Sequence, residues 1–295
     1  MSGRHFGGVF APVTTPFDSA SGDFAPGALH QNITRLLADG LDGIVVAGST
    51  GEAPLLDADE QRRLVAVARD AVPRDRWLFA GAGAESTREA VAHGRAAAAA
   101  GADAVLVRPP GYFSAALTPA ALVAYFRAVA DACPVPVLVY NIPKYTHVAI
   151  APTVLQQLAA HRNIVGAKDS SGDLTNLAAY RAAVPQWSLF VGSGSLLFAA
   201  LELGCEGGIL ALACYAARRC AEVYAAFRAG DRSRAGALQQ PLIPLDKEIV
   251  GKLGPAGVKA AMDVVGLTGG PVRPPLPPLQ PADREHVAHL LTSGD

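Results

Sequence analysis

The sequence predicts an α/β fold, a (β/α)₈ barrel (TIM barrel) with a C-terminal helical extension. Short, continuously apolar runs of strand length alternate with longer Ala- and Leu-rich stretches, as in parallel strands buried on both faces. Eight such units occur in one chain of 295 residues. Eight units favour a closed barrel, although an open doubly wound sheet would share the pattern.

The elements of the barrel follow one another in strict alternation. The strands are predicted at residues 9–13, 43–47, 77–81, 104–107, 137–140, 164–168, 188–192 and 207–210. The helices are predicted at residues 26–38, 57–71, 87–100, 118–131, 151–160, 173–183, 195–203 and 217–229. Thr118 before Pro119 is typical of an N-cap followed by proline at the first helical position. Gly101 and Gly204 stand where helices should end.

The pattern changes near residue 230, where the strand-like runs stop. We therefore expect residues 1–230 to form the catalytic barrel. Residues 231–295 are expected to form a helical extension packed on the barrel. The proline-rich stretch 270–278 predicts a rigid, extended link within this extension.

Composition restricts the classes of function. Hydrophobic residues make up 51% of the chain and charged residues 17%, which favours a large buried core. A net charge of −1 gives no field that would attract nucleic acid or an anionic membrane, so neither is an expected partner. The apolar runs are too short or too interrupted for a signal peptide or a membrane span. The four cysteines are scattered singly, as in a reducing compartment, and a cytoplasmic protein is expected.

No metal and no other cofactor is predicted. The cysteines form no Cys-x-x-Cys pair, and the histidines have no partner at metal-ligand spacing. The histidines are His5, His30, His93, His147, His161, His286 and His289.

Lys168 is the first candidate for chemistry. It follows Ile-Val-Gly-Ala at the end of the sixth predicted strand, and barrel active sites form at the C-terminal ends of the strands. Burial penalises an ammonium group and so favours the free amine, which is the form that attacks a carbonyl. On position alone, a lysine that extends its ammonium into solvent is an equally good interpretation.

Tyr140 ends the fifth predicted strand, beside the strand of Lys168. Its hydroxyl would therefore lie near Lys168 and could pass protons. A core tyrosine whose hydroxyl has found a hydrogen-bond partner is the alternative.

Two glycine-containing turns follow other strands. Gly48, Ser49 and Thr50 open the turn 48–52, whose hydroxyls and amides would suit a small carboxylate; the alternative is an ordinary strand-to-helix turn, in which Glu52 caps neighbouring amides. Gly192 and Ser193 begin a loop that we interpret first as polar substrate contact and second as a phosphate cradle.

Five motifs together resemble the dihydrodipicolinate synthase/N-acetylneuraminate lyase family over nearly the whole chain. The motifs lie at residues 12–17, 48–52, 140–143, 166–169 and 192–194. The resemblance implies that Lys168 forms a Schiff base with a 2-oxo acid such as pyruvate, without a metal. It also implies that Tyr140 and Thr50 share the catalytic work, that Ser49 and Thr50 bind the carboxylate, and that the protein is a homotetramer.

The sequence departs from the synthases of this family at two places. Their arginine after the Tyr-Asn-x-Pro motif is replaced by Tyr145, and only Tyr112 matches the tyrosine pair that follows the fourth strand. Residues 83–87, 163–173 and 269–276 look closer to 4-hydroxy-2-oxoglutarate aldolases. The apolar stretch around Ile209 favours a short substrate, because a larger sugar acid would need more polar contacts. Tyr112, Tyr145, Gly192, Ser193 and Ile209 are the expected contacts to the remainder of the substrate. Tyr112 could contribute to the site of its own subunit or to that of a neighbouring subunit.

The favoured expectation is therefore a lyase that splits or forms a short hydroxy-2-oxo acid resembling 4-hydroxy-2-oxoglutarate, with pyruvate as one product. Within the family, the alternatives are 4-hydroxy-tetrahydrodipicolinate synthase and a sugar-acid lyase or dehydratase. Outside it, the alternatives are a keto-acid-binding protein without turnover and a phosphate-binding barrel enzyme.

Overall fold

The structure, a computed structural model, describes residues 6–292 and contains the predicted closed barrel of eight parallel strands. Each strand pairs with the next in the chain, and β8 closes the barrel against β1. The strands are β1 (Gly8–Pro12), β2 (Gly43–Val46), β3 (Trp77–Gly81), β4 (Ala104–Val107), β5 (Val137–Asn141), β6 (Ile164–Asp169), β7 (Ser188–Val191) and β8 (Gly207–Ile209).

Helices cover the outside of the barrel and form most of the C-terminal extension. They are α1 (Pro26–Ala38), α2 (Ala58–Ala71), α3 (Thr87–Ala99), α4 (Pro119–Ala132), α5 (Pro143–Thr146), α6 (Pro152–Leu158), α7 (Leu174–Ala183), α8 (Leu197–Glu202), α9 (Ala217–Arg228), α10 (Arg232–Gln239), α11 (Leu242–Leu245), α12 (Gly254–Val264) and α13 (Pro281–Thr292). A π-helical segment, Asp246–Leu253, joins α11 to α12. The short helix α5 lies in a stretch where no helix was expected.

Capping residues fix where the barrel helices begin. Asp57 forms a capping box with Glu60: its carboxylate accepts from the Glu60 amide at 2.8 Å, and its own amide donates to the Glu60 side chain at 3.1 Å. Thr118 caps α4 through the amide of Ala121 at 3.2 Å, as expected for the Thr-Pro pair. Gly101 and Gly204 adopt φ angles of +102° and +84°, the left-handed geometry that ends a helix.

The ends of β5 and β6 position the most important side chains. Both strands run one residue further than predicted, to Asn141 and Asp169. The register of the parallel pair sets Tyr140 opposite Lys168 and Asn141 opposite Asp169. Because alternate strand residues face the same side, this register fixes Tyr140 and Lys168 as neighbours.

Aromatic side chains fill the barrel interior. Phe10 stacks on Phe79 with ring centroids 4.7 Å apart, and Phe190 meets Phe10 edge-to-face at 5.5 Å. Ile209 is fully buried in this cluster, beside Phe10 in the β1–β8 pairing. It was expected to contact substrate, but it packs in the interior and does not line the cavity described below.

The C-terminal extension closes over the C-terminal ends of the strands. The π-helical segment brings Asp246 and Val250 to this end, and α12 brings Val258. Residues 269–280 contain neither helix nor strand, and Arg273 within them binds Glu60 of α2. Residues 1–5 and 293–295, the outer limits of the two predicted regions, lie outside the described residues. Between residues 6 and 292, no helix combines the length and apolar character needed to cross a bilayer.

Candidate active site

A cavity of about 210 Å³ opens at the C-terminal ends of the strands, where barrel enzymes place their active sites. It is lined by strand-end residues, including Lys168 and Tyr140, and by residues of the C-terminal extension, including Asp246 and Pro255. The wall is therefore partly polar and partly apolar, which suits a small ligand that is held in one orientation.

Lys168 and Tyr140 are in direct contact inside this cavity. Lys168 is 5% exposed, and its Nζ donates a hydrogen bond to the Tyr140 hydroxyl at 3.3 Å. The same nitrogen lies 4.4 Å from the centroid of the Tyr140 ring. The amine thus has one polar neighbour and otherwise faces the cavity. No carboxylate in the described structure pairs with it, so it is not held in a salt bridge.

A hydrogen-bonded network fixes the strand ends beside this pair. Asn141 donates to Asp169 at 2.7 Å, and Ser171 donates its hydroxyl to the other oxygen of Asp169, also at 2.7 Å. The side-chain carbonyl of Asn141 accepts from the Ile150 amide at 3.0 Å. Because these groups are buried or half-buried, their bonds hold the backbone of β5 and β6 rigidly. Asp169 therefore supports the position of Lys168 and does not neutralise its amine.

The turn 48–52 offers free donors to a carboxylate. The amides of Gly51 and Ala53 donate to the Gly48 carbonyl at 3.1 and 3.2 Å. No hydrogen bond within residues 6–292 engages the amides or hydroxyls of Ser49 and Thr50, and both residues line the cavity. Gly48 shapes the turn and does not itself line the cavity. Ser49 and Thr50 therefore present amides and hydroxyls to the cavity that no other described residue engages.

Glu52 connects this turn to the C-terminal extension. Its backbone is left-handed, with φ +59°, and its carboxylate lies 2.6 Å from Nζ of Lys259 on α12. The other carboxylate oxygen accepts from the Arg273 amide at 2.8 Å. Glu52 thus caps an amide, as expected, but the amide belongs to the C-terminal extension.

The remaining expected contacts divide into two groups. Gly192, Ser193 and Tyr145 line the cavity. Tyr112 does not: its side chain is 82% exposed and stacks edge-to-face on Phe113 outside the cavity of this chain. Burial raises the pKa of Tyr145 above its usual value, with Tyr140 as a lesser cause, so its phenol stays protonated.

Thr50, expected to be catalytic, makes no hydrogen bond to Tyr140 within the described residues.

Several polar residues of the cavity were not found from the sequence. They are Lys144, Ser170, Ser171 and Asp246. Ser170 and Ser171 follow Lys168 directly, so their position after a strand end could have identified them. Asp246 could have been noticed as a single acid in the apolar run Leu-Ile-Pro-Leu-Asp. The cavity is more polar than the apolar stretch near Ile209 led us to expect.

No metal centre is visible among the residues that the structure describes, in which no three His, Cys, Asp or Glu side chains are grouped as ligands. His5 lies outside the described residues. The cysteines are buried and separate.

Comparison with known proteins assigns the family. The model of the dihydrodipicolinate synthetase family matches residues 5–293. The chain belongs to this family. The match covers both the barrel and the C-terminal extension and confirms the resemblance carried by the motifs.

Relatives of similar identity carry different names. The chain is 38% identical to a 4-hydroxy-tetrahydrodipicolinate synthase of Synechococcus sp. (strain CC9605), over 94% of this chain and 91% of the relative. It is 39% identical to an uncharacterized DapA-like lyase of Halobacterium salinarum, over 94% and 90%. Among solved structures, YagE of E. coli K12, a member of the same family in complex with pyruvate, superposes with a TM-score of 0.91 at 30% identity, covering 98% of both chains. The chain is therefore a barrel of a lyase family, and the names of these relatives do not agree on one substrate.

Proposed function

We propose that this protein is a class I lyase in which Lys168 forms a Schiff base with pyruvate. The observation that carries the proposal is the contact between Lys168 Nζ and the Tyr140 hydroxyl, 3.3 Å apart and buried in a cavity that opens to solvent. No carboxylate in the described structure holds the Lys168 amine in a salt bridge, so the amine is available to a carbonyl group that enters the cavity.

The proposed reaction balances without a metal. The amine of Lys168 attacks C2 of pyruvate, and the carbinolamine loses water to give an iminium ion. Loss of a proton from C3 gives an enamine, because the iminium nitrogen accepts the electron pair. C3 of the enamine then forms a bond to the carbonyl carbon of an aldehyde, whose oxygen takes up a proton. Water finally hydrolyses the imine and releases the product, and cleavage follows the same steps in reverse.

The cavity residues fit the remaining tasks. Tyr140 is within hydrogen-bond distance of the amine and would move the protons of carbinolamine dehydration and hydrolysis. Ser49 and Thr50 would bind the pyruvate carboxylate with their free amides and hydroxyls. A protein that only bound keto acids would need the carboxylate-binding residues Ser49 and Thr50 but not a lysine in contact with a tyrosine. The Lys168–Tyr140 contact therefore favours turnover.

The aldehyde distinguishes two candidate reactions. The sequence favoured 4-hydroxy-2-oxoglutarate, which would release glyoxylate. The name of the Synechococcus relative favours condensation of pyruvate with aspartate semialdehyde, the 4-hydroxy-tetrahydrodipicolinate synthase reaction. The relatives thus give the synthase reaction better support. In both cases the second reactant carries a carboxylate, although Tyr145 occupies the position of the synthase arginine.

A direct activity test separates these candidates. Purified protein is supplied with pyruvate and aspartate semialdehyde, and in parallel with 4-hydroxy-2-oxoglutarate, and pyruvate is followed over time. Consumption in the first assay supports the synthase reaction, and release in the second supports the aldolase reaction. Either activity must vanish in Lys168→Ala. Activity that persists in this variant would refute the assigned nucleophile.

Oligomeric state and location complete the proposal. A homotetramer is proposed from the family resemblance, and the exposed pair Tyr112 and Phe113 offers apolar surface for a subunit contact. A cytoplasmic location is proposed because four buried, unpaired cysteines are typical of a reducing compartment.

A further inference from the structure

We propose that Asp246 is a specificity-determining residue of this cavity: held against Ser193, it favours aldehydes that carry hydroxyl groups and disfavours aldehydes that carry a carboxylate. The inference rests on the Schiff-base function proposed above, because it concerns the partner that the pyruvate enamine meets. It concerns how strongly the cavity discriminates between aldehydes by their charge, and it can be tested whichever candidate reaction the protein catalyses.

Asp246 is buried without a cation. Its side chain lies in the cavity wall, and the residue is 5% exposed. Oδ2 accepts from the Ser193 hydroxyl and from the Ser195 amide, both at 2.9 Å. Oδ1 is buried and has no hydrogen-bond partner, and no Lys, Arg or His within residues 6–292 forms an ion pair with the carboxylate. Because such a group costs stability, a structural role alone does not account for it.

The carboxylate determines what Ser193 can offer to a ligand. A serine hydroxyl has one proton and two lone pairs. The proton of Ser193 is committed to Asp246, so the contact of 2.9 Å between the hydroxyls of Ser193 and Ser195 must use the proton of Ser195. Ser193 therefore faces a ligand as an acceptor. It can accept a hydrogen bond from a hydroxyl group, but it cannot donate one to a carboxylate.

Ser171, which follows the neighbouring strand β6, also donates its hydroxyl proton to an aspartate. Its hydroxyl donates to Asp169 at 2.7 Å and so also presents only an acceptor to the cavity. Two of the serines that line this side of the cavity thus favour ligands with hydroxyl donors.

The cations of the cavity do not compensate for Asp246. The lining includes no arginine, and its two lysines are Lys168 and Lys144. The nitrogen of Lys168 carries no charge in the enamine that meets the aldehyde. Lys144 is exposed, and its Nζ is bound to the Gly251 carbonyl at 3.1 Å, so solvent screens its charge. A carboxylate on the aldehyde would therefore approach a cavity wall whose buried charge, that of Asp246, is negative.

Gly194 permits this arrangement. A Cβ atom at this position would lie 2.9 Å from Asp246 Oδ1 and 2.6 Å from Leu212 Cδ2. Any larger residue would push the loop away from Asp246 and break the bond to Ser193.

The test compares two aldehydes on one pair of variants. Pyruvate condensation is measured with glyceraldehyde, which is neutral and carries hydroxyls, and with aspartate semialdehyde, which carries a carboxylate. The ratio of the two kcat/KM values is then determined for the wild type, for Asp246→Asn and for Glu248→Gln. Asparagine has the shape of aspartate and keeps an oxygen for Ser193. Glu248 lies on the same π-helical segment and does not line the cavity, so Glu248→Gln removes an equal charge as a matched control.

We expect Asp246→Asn to shift the ratio towards aspartate semialdehyde by about tenfold, which corresponds to ~1.4 kcal/mol, because it removes a buried negative charge from the cavity wall. Glu248→Gln should leave the ratio unchanged. An unchanged ratio in Asp246→Asn would overturn the inference. So would a selective loss of activity with aspartate semialdehyde in Lys144→Met, because it would show that Lys144 compensates for Asp246.

A separate measurement distinguishes failure of this inference from failure of the proposed function. Borohydride should trap pyruvate on Lys168 in the wild type without any aldehyde, because formation of the Schiff base precedes the encounter with the aldehyde. If pyruvate is trapped on Lys168 but the ratio of kcat/KM values is the same in Asp246→Asn and the wild type, only the role of Asp246 is refuted. Absence of trapping in the wild type refutes the Schiff-base function itself.

Discussion

Glu52 and Lys259 form an ion pair that is almost completely shielded from solvent. Lys259 Nζ lies 2.6 Å from Glu52 Oε1, and the exposed fractions of the two side chains are 1% and 0%. Lys259 Nζ also donates to the Pro271 carbonyl at 2.6 Å and lies 4.4 Å from the centroid of the Phe17 ring. The pair therefore ties the carboxylate turn after β2 to the C-terminal extension.

Replacement of Lys259 by methionine should destabilise the protein by about 3–5 kcal/mol, because it leaves the Glu52 carboxylate buried and unpaired. Urea unfolding measures the loss. The matched control is Lys252→Met, which removes an exposed partner of Glu248 and should change stability little. A stable Lys259→Met variant would show that the pair does not hold the extension in place.

The same variant should bind pyruvate more weakly. Glu52 belongs to the turn that carries Ser49 and Thr50, so a displaced Glu52 would move their amides. We expect an increased KM for pyruvate in the fraction that remains folded. An unchanged KM would show that the turn keeps its shape without Lys259.

Tyr140→Phe should lower kcat by about 10²–10⁴-fold, because the phenol is the only hydrogen-bond partner of Lys168 Nζ in the described structure and general acid–base groups contribute that much. Steady-state kinetics with the accepted aldehyde measure the effect. Tyr125→Phe is the matched control: it removes a buried phenol that donates to the Arg108 carbonyl at 3.1 Å, outside the cavity. Wild-type kcat in Tyr140→Phe would remove Tyr140 from the mechanism.

The contact between Glu60 and Arg273 should make stability depend on pH. Arg273 binds both oxygens of Glu60, at 2.6 and 2.7 Å, and holds the pKa of this carboxyl below its ordinary value of 4.5. A depressed carboxyl pKa stabilises the fold above the unfolded pKa, and that stabilisation is lost as the pH falls through the folded pKa. Glu60→Gln should therefore cost about 1–3 kcal/mol at neutral pH, and the difference from wild type should shrink below pH 4.5. A difference in unfolding free energy that stays constant into the acid range would contradict this assignment.

The cysteines should be unreactive in the native protein. Burial raises the pKa of Cys205 and of Cys214 to about 12, and it raises the pKa of Cys133 and Cys220 as well. Since the thiolate is the nucleophile, iodoacetamide at pH 8 should label all four only after unfolding. Rapid labelling of a native cysteine would show that its surroundings open readily.

The barrel could be predicted from the sequence because its strands are apolar on both faces and its helices are bounded by strong caps such as Asp57 and Thr118. The same logic selected Lys168 and Tyr140 as candidates, and the structure brings their side chains into contact in the cavity. The predicted strand limits were one residue short at Asn141 and Asp169, because these side chains bind each other and prolong the pairing.

Contacts between distant segments could not be predicted in this way. The apolar run before Asp246 marks this acid as unusual, but Asp246 reaches the cavity only because the π-helical segment folds over the strand ends. Ile209 was expected in the site because of the apolar stretch around it, and Tyr112 because of the family resemblance. The first faces the packed barrel interior and the second faces solvent, which only the register of β8 and the path of the loop after β4 determine.

Reductive trapping on Lys168 tests the central claim most directly. The protein is incubated with pyruvate and sodium borohydride, and the digested peptides are analysed by mass spectrometry. We predict one reduced pyruvate on the peptide that contains Lys168 and none on the peptides of Lys144 or Lys259. An unmodified Lys168, or a modification on another lysine with Lys168 intact, would contradict the assignment of Lys168 as the nucleophile.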